Sequence, residues 1–575
     1  MLVIATITLG CVKKNDDTIY ADPDGGRPVW VKQVGSKADE GAGYITRLPD
    51  GDLLIFGGID EDIIFGEGEK NETRMTVKCN GEEYNDGGLD GGDGGDMDAG
   101  ADSGKDGGVD SGGGCQADNN YCSQFIAKYT SSGTLVWVRH FVGPHTAVGF
   151  GGIAGFPDGS FVVTGNYYGI AVFGYQETNE TTLRSEGLCD EQSYQNSDDI
   201  FIASYDSQGN LKWAKSAGGD KEDTVRGIAS YKDGTIYITG DFQGKATFGK
   251  GEKIETVLEP LGTGDIFVAK YNPDGTLAWA RRDGDYDSYS GYPVYWQGKA
   301  WEKGLDIAVS ADGNILVTGE FWDFTLFGKG EKTEQKISLE YTKEFMGRAL
   351  YSDNYDMFIA KYDNNGHFLW AKRVGGKQDD SGNKLAVIKD GAFFVAGDFF
   401  GEVTFGEGEE KEMTIQEKYG TSAYPSQYIA KYNPDGTLVW VRDVAEGVGE
   451  NDYVSITALV VQSNGLPVVL GMHHGETFFS PGRDDEITLG SGNMFYGTFW
   501  AKFNSNGTLG WVRQLDGDKC ETGYRQASGL TISPDGSSFV TGSMCGETIF
   551  GETKGKPLTL TSKGRSDIFI AKYSP

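Results

Sequence analysis

Seven times along the chain an apolar strand ends on a short basic-aromatic signature. The copies are Phe125–Tyr129 (FIAKY), Phe201–Tyr205 (FIASY), Phe267–Tyr271 (FVAKY), Phe358–Tyr362, Tyr428–Tyr432, Phe499–Phe503 (FWAKF) and Phe569–Tyr573. After each of the first six comes a turn such as Asn272-Pro273-Asp274-Gly275 or Asn433-Pro434-Asp435-Gly436, then a strand centred on tryptophan. Asx-Gly supplies the left-handed backbone that a tight hairpin needs. The tryptophans are Trp30, Trp137, Trp213, Trp279, Trp370, Trp440 and Trp511, and two residues beyond each stands a base: Lys32, Arg139, Lys215, Arg281, Lys372, Arg442 or Arg513. Side chains alternate along a strand with period two, so tryptophan and base share one face.

A second hairpin follows in every unit, turned at Asp50-Gly51, Asp158-Gly159, Asp233-Gly234, Asp312-Gly313, Asp390-Gly391, Asn464-Gly465 or Asp535-Gly536. Its far strand usually ends in Thr-Gly plus an aromatic, as in Thr239-Gly240-Asp241-Phe242, and is followed by Phe-Gly at Phe65, Phe173, Phe248, Phe327, Phe405 and Phe550; Phe479 precedes Ser480 instead. Four strands in two hairpins make one propeller blade. A length of 575 residues exceeds the roughly 250–300 at which single cores stop growing, and a repeat architecture escapes that limit. No long window carries the helical period of apolar residues, so helix is not expected.

The ends fix how the array finishes. A turn and a Trp strand open the chain, Asp24-Gly25-Gly26-Arg27-Pro28-Val29-Trp30, with no FIAKY-like strand before them. The last unit stops at Phe569–Tyr573 with no Trp strand after it. The first strand is therefore predicted to pair with the last and shut a ring, which removes the sheet edges that an open array exposes. An open solenoid would need polar capping repeats, and the sequence shows none. The expected fold is all-β, a seven-bladed β-propeller of four-stranded antiparallel blades over residues 24–575. Residues 1–11 read as a signal remnant, 12–23 as a tether, and about 83–114 as an Asp/Gly-rich loop insertion.

The unit F-[IV]-A-K-Y, x-D-G-x-L-x-W-x-[KR], D-G-x-x-x-x-T-G-x-F and F-G resembles the bacterial SBBP-type β-propeller repeat over residues 24–575, the insertions apart. That resemblance implies the fold and an extracellular or cell-surface setting, and it leaves the ligand open. The segment Ile7-Thr8-Leu9-Gly10-Cys11 resembles a bacterial lipobox, which implies export and a lipid on Cys11. The expected place is the outer membrane or surface of a Gram-negative bacterium, with the lipid as the only membrane contact. With Cys11 lipidated, six cysteines remain: Cys520 and Cys545 flank one hairpin, and Cys79, Cys115, Cys122 and Cys189 surround two insertions with their pairing open. Free buried thiols are the alternative.

Lys plus Arg number 51 against 85 Asp plus Glu, a net charge of −34 that repels phosphate backbones, so nucleic acid is not expected as a partner. Both short turn classes of a blade fall on one face of the disc, which puts the long connections 67–124, 176–199, 282–302 and 329–357 together on the other. A rigid scaffold carrying variable loops is where binding usually resides. The first insertion offers Asp90, Asp93, Asp96 and Asp98 among glycines, donors that suit Ca²⁺. It lacks the apolar residue that would stack a Ca²⁺-binding nonapeptide into a roll, so a solvated acidic loop is the first reading, Ca²⁺ the second, and no other cofactor is expected.

Tyr286, Tyr289, Tyr292, Tyr295, Trp296 and Trp301 crowd one loop, either as a platform for sugar or protein or as a small core folding that loop onto the disc. His140, His145, His367, His473 and His474 lack metal-ligand spacing, and His473-His474 replaces the aromatic that follows Thr-Gly in other units. No catalytic residue is assigned, because no nucleophile elbow, P-loop or paired-cysteine zinc motif occurs. Quinoprotein dehydrogenases share a similar blade segment but use eight blades and adjacent cysteines, both missing here. The expectation is a monomeric binding or adhesion scaffold for protein or glycan, with an exported carbohydrate-active hydrolase or lyase using loop carboxylates as the alternative.

Overall fold

The computed structural model describes residues 27–76, 123–141, 147–175, 177–186, 197–284, 302–339, 342–345, 348–351, 354–419, 423–449, 451–490, 496–517, 526–553 and 556–575. All regular structure among them is β. Blade 3 shows the plan: Asp223–Ser230, Ile236–Phe242, Asp265–Tyr271 and Leu277–Asp283 pair antiparallel in chain order. Six blades repeat this plan within one stretch of chain. In the seventh, Gln526–Ile532, Ser538–Met544 and Asp567–Tyr573 take Pro28–Val34 as their fourth strand, with Trp30 opposite Lys572 and Lys32 opposite Ile570. The predicted closure of the ring is the observed one.

The first strands of successive blades touch one another all the way round and so surround the axis. Each is a free sheet edge, and each carries a bulge, at Gly43, Gly151, Arg226, Leu305, Asn383, Thr457 and Ser528. A bulge twists an edge away from further pairing. Side chains of neighbouring blades then satisfy its free amides: Val225 donates to Asn166 Oδ1 at 2.9 Å, Ile456 to Gln427 Oε1 at 2.9 Å and Ala527 to Thr498 Oγ1 at 3.1 Å. Apolar clusters bridge blades in the same way. Ile200 and Ile202 of blade 2 pack with Phe242 and Phe267 of blade 3, while Val34, Ile568 and Ile570 of blade 7 pack with Ile55 and Phe125 of blade 1. The junction that closes the ring is built like the others.

Sequence reasoning missed a third hairpin in each unit. Its first strand ends at the Phe-Gly pair, where the chain turns, and, where pairing is seen, extends the last strand of the preceding blade: Ala246–Phe248 pairs with Gly218 and Gly219, and Glu402–Phe405 with Gly375 and Gly376. Phe-Gly needs its glycine because the turn is left-handed, with φ of 64–66° at Gly66, Gly249, Gly328 and Gly406; Ser480, the one non-glycine residue there, is held at 52°.

The hairpin tip also explains the base two residues after each tryptophan. Glu69 accepts from Leu135 N at 2.7 Å in its own blade and from Lys32 Nζ at 2.5 Å in the blade before. Glu252 does the same with Leu277 N and Lys215 Nζ, Glu331 with Phe368 N and Arg281 Nη1, and Glu409 with Leu438 N and Lys372 Nζ. The tryptophan makes the second contact between blades. Trp30, Trp137, Trp213, Trp279, Trp370 and Trp440 lie against turn glycines of the next blade, Gly133, Gly209, Gly275, Gly366, Gly436 and Gly507, where a Cβ would sit 2.7–2.9 Å from the indole. The indole N–H of Trp213 donates to Pro273 O at 3.2 Å and that of Trp440 to Ser505 O at 3.0 Å.

Candidate functional site

Strands one and two of a blade, and strands three and four, are joined by short turns, so antiparallel pairing sends every remaining connection to the opposite face. The described strand ends that the long connections join therefore lie at the face where those loops are expected. Most of the residues singled out there, Asp90, Asp93, Asp96, Asp98, Tyr286, Tyr289, Tyr292, Tyr295, Trp296 and Trp301, lie outside the described residues, as do Cys11, Cys79, Cys115, Cys122, Cys189 and Cys520. Cys545 is buried and disulfide-bonded.

What the described part of this face does show is a set of carboxylates where two blades meet. Two positions are involved: the residue two before the FIAKY aromatic in one blade, and the start of the first strand in the next. Both are acidic at four junctions: Asp567 with Glu40, Asp199 with Asp223, Asp265 with Glu302, and Asp356 with Asp380. At two of the other three neither is, Ser123 with Val148 and Ser426 with Val454; at the third the first position is Gly497 and the second lies outside the described residues. All eight acidic side chains are buried. A buried charge is costly unless it is paired and hydrogen-bonded, so the surroundings of each pair decide its state.

Most pairs are compensated by the residue three after the tryptophan. Arg282 Nη1 bonds Asp265 at 2.9 Å, Arg373 Nε bonds Asp356 at 2.5 Å, and Gln33 Nε2 bonds Asp567 at 2.5 Å. Main-chain amides add to this: Leu261 N to Asp265, Gly376 N to Asp380, Lys563 N to Asp567, and Ser36 N and Oγ to Glu40. Desolvation pushes Glu40 up to about 7 and Asp265 up to about 6, and raises Asp380 well above the carboxylate range with help from the Asp356 charge.

The Asp199–Asp223 pair stands apart. The residue three after Trp213 is Ser216, whose hydroxyl bonds Tyr167 Oη at 2.7 Å instead of either carboxylate. Burial pushes Asp199 up to about 7; it raises Asp223 well above its ordinary value, with the Asp199 charge adding to the rise.

Blade 6 resolves the histidines. His473 takes the place of the aromatic after Thr-Gly, is fully buried, and is pushed down to about 4 by burial, which keeps its ring neutral. Its ring fills the space over Gly497 where four other blades have an aspartate. Among the described residues no three His, Cys, Asp or Glu side chains are grouped to hold a metal. The carboxylate pairs were missed in the sequence because they sit in motifs read as core. The usable signal was that the two positions become acidic together.

No family model matches the chain. An uncharacterized WD repeat-containing protein of Acanthamoeba polyphaga mimivirus is 22% identical over 479 residues, 78% of this chain and 33% of that protein. The regulatory protein FlaEY of Caulobacter vibrioides is 26% identical over 248 residues, 43% of this chain and 22% of its own length. Coatomer subunit beta'-2 of Arabidopsis thaliana is 26% identical over 211 residues, 34% of this chain and 20% of the subunit. The chain thus spans a third or less of these curated relatives. A WD repeat is a four-stranded propeller blade, so likeness to a WD-repeat protein agrees with the seven-bladed ring.

Proposed function

We propose that this protein is an exported, lipid-anchored surface propeller of the SBBP type that holds a protein or glycan partner on its long-loop face. One observation carries the reading: a closed, rigid ring gathers every long connection on one face and keeps short Asx-Gly turns on the other. Likeness to a WD-repeat protein and to a coatomer subunit favours a scaffold that works through contacts. A net charge of −34 selects neutral or basic partners and turns away nucleic acid. Cys11 takes the lipid, residues 12–23 form the tether, and the monomeric ring presents Tyr286, Tyr289, Tyr292, Tyr295, Trp296 and Trp301 as contact aromatics. Asp90, Asp93, Asp96 and Asp98 offer the insertion a Ca²⁺ ligand set. The paired carboxylates described above are buried, which does not favour a hydrolase or lyase acting at this face.

The soluble protein, begun after Cys11, is expected to bind a subset of glycan or protein arrays saturably and without turnover. Replacing Tyr289 and Trp296 by alanine together is expected to weaken that binding at least tenfold, about 1.4 kcal/mol. Cleavage of an array glycan, or affinity unchanged in the double variant and in one lacking residues 83–114, would contradict the reading.

A further inference from the structure

One of the four carboxylate pairs is incomplete. At three junctions a guanidinium or carboxamide from the residue three after the tryptophan reaches the first carboxylate, through Arg282, Arg373 or Gln33. At the junction of blades 2 and 3 that residue is Ser216, bonded to Tyr167. Asp199 there is 1% exposed and accepts only Glu186 N at 3.1 Å, on Oδ2, which leaves Oδ1 unpartnered. Asp223 is 0% exposed, and both of its carboxylate oxygens are unpartnered. The amides of Gly219 and Gln243 lie near the Asp223 carboxyl, and that of Gly219 near Asp199 as well, but they stand outside hydrogen-bonding geometry.

The free oxygens converge. A Cβ built on Gly218 would lie 2.7 Å from Asp199 Oδ1 and 2.9 Å from Asp223 Oδ2, so both carboxylates close over one point of backbone. Neighbouring bases are already engaged, Lys250 with Glu186 and Arg226 with Asp241. Two buried carboxylates beside one point, with three of their four oxygens unpartnered, lack the positive charge that Arg282 and Arg373 supply covalently at the next two junctions.

We propose that Asp199 and Asp223 bind one oxygen-preferring divalent cation, of which Ca²⁺ is the probe, in the place that Arg282 and Arg373 guanidiniums fill at the next two junctions. The cation locks blade 2 to blade 3 beneath the long-loop face. Both anionic ligands are hard oxygen donors, and their summed charge matches a divalent ion. With two side-chain ligands, the remaining coordination falls to main-chain carbonyls and water. This site is separate from the acidic insertion and does not depend on which partner the long-loop face binds.

The test is a thermal melt of the full protein at pH 7.5 in 2 mM CaCl₂ against EDTA. Ca²⁺ is expected to raise the Tm by about 2 °C or more, as binding to the folded state alone requires. Asp223→Asn, which keeps size and shape, is expected to lose that response. A second variant uses the internal repeat: Tyr167→Phe with Ser216→Arg recreates the Phe242/Arg282 and Phe321/Arg373 combinations. It is expected to melt higher than the parent in EDTA and to ignore Ca²⁺. A parent Tm equal in CaCl₂ and EDTA would overturn the proposal and leave a carboxylate pair that shares a proton. Full retention of the Ca²⁺ response in either folded variant would also overturn it, placing the binding in the acidic loop.

Discussion

A chain from which residues 1–35 are removed is expected to lose about 5 kcal/mol or more of stability and to self-associate. The strand Pro28–Val34 supplies the outer edge of blade 7, pairing from Pro28 opposite Tyr573 to Val34 opposite Ile568. Its loss removes Val34 and the contact of Trp30 on Phe539, and uncovers Ile568 and Ile570, which pack into blade 1. Burial of two or three such side chains contributes about 2 kcal/mol each, so the sum rivals the net stability of an ordinary domain. The main-chain groups of Asp567–Tyr573 become a bare edge, a template for pairing between molecules. Gln33, which bonds both Thr561 O and Asp567, and Lys32, which bonds Glu69, are lost as well. Calorimetry with light scattering reads the result; an unchanged Tm and a monodisperse monomer would contradict it.

The second large effect is a fall in stability with rising pH. Glu40, Asp199 and Asp443 are each pushed up to about 7 and Asp265 to about 6, desolvation being the main cause in all four. In an unfolded chain such carboxyls titrate near 4. Between roughly pH 4 and 7 the folded protein thus holds protons that the unfolded chain has released, so stability declines across that window as pH rises. The turn aspartates act in the opposite sense. Hydrogen bonds from Ser160, Thr276 and Thr437 hold Asp158, Asp274 and Asp435 below their usual value, and their contribution is lost only in more acid solution. In EDTA the Tm is therefore expected to be highest near pH 5 and to drop toward pH 8 by the equivalent of about 3 kcal/mol, a figure discounted for relaxation of the buried sites. A Tm that is flat or rising from pH 5 to 8 would contradict this.

The ring was legible because its signals are local and repeated. Asx-Gly turns, tryptophan spacing and the mismatched ends each lie within a few residues, and seven copies remove the ambiguity of one. The hairpin that turns at Phe-Gly was not legible, because its partner strand belongs to the preceding unit: nothing near Thr247 in sequence points to Gly218. The same holds for Glu69 and Lys32, which meet across a junction 37 residues apart. Aligning the units would have revealed it, since Phe-Gly-x-Gly-Glu at Phe65, Phe248, Phe327 and Phe405 accompanies the base after tryptophan in the unit before. Asp199 and Asp223 were hidden for a related reason. Each reads alone as a polar end to a core strand, and only the register places both beside Gly218. Ser480 shows the converse case, a departure from the repeat that sequence flagged and whose strain only the backbone reveals.

The claim on which the rest depends is that the two ends of the chain share one sheet. Val31 and Ala571 stand directly opposite across the Pro28–Val34 and Asp567–Tyr573 pair, at a spacing of about 4.5–5.5 Å between Cα atoms that a disulfide can span. With Val31→Cys and Ala571→Cys introduced together, mild oxidation is expected to give an intramolecular link, identified by mass spectrometry as one peptide joining positions 31 and 571. A monomer that forms no such link, or one that forms it only between molecules, would show that the ring is not closed by these strands.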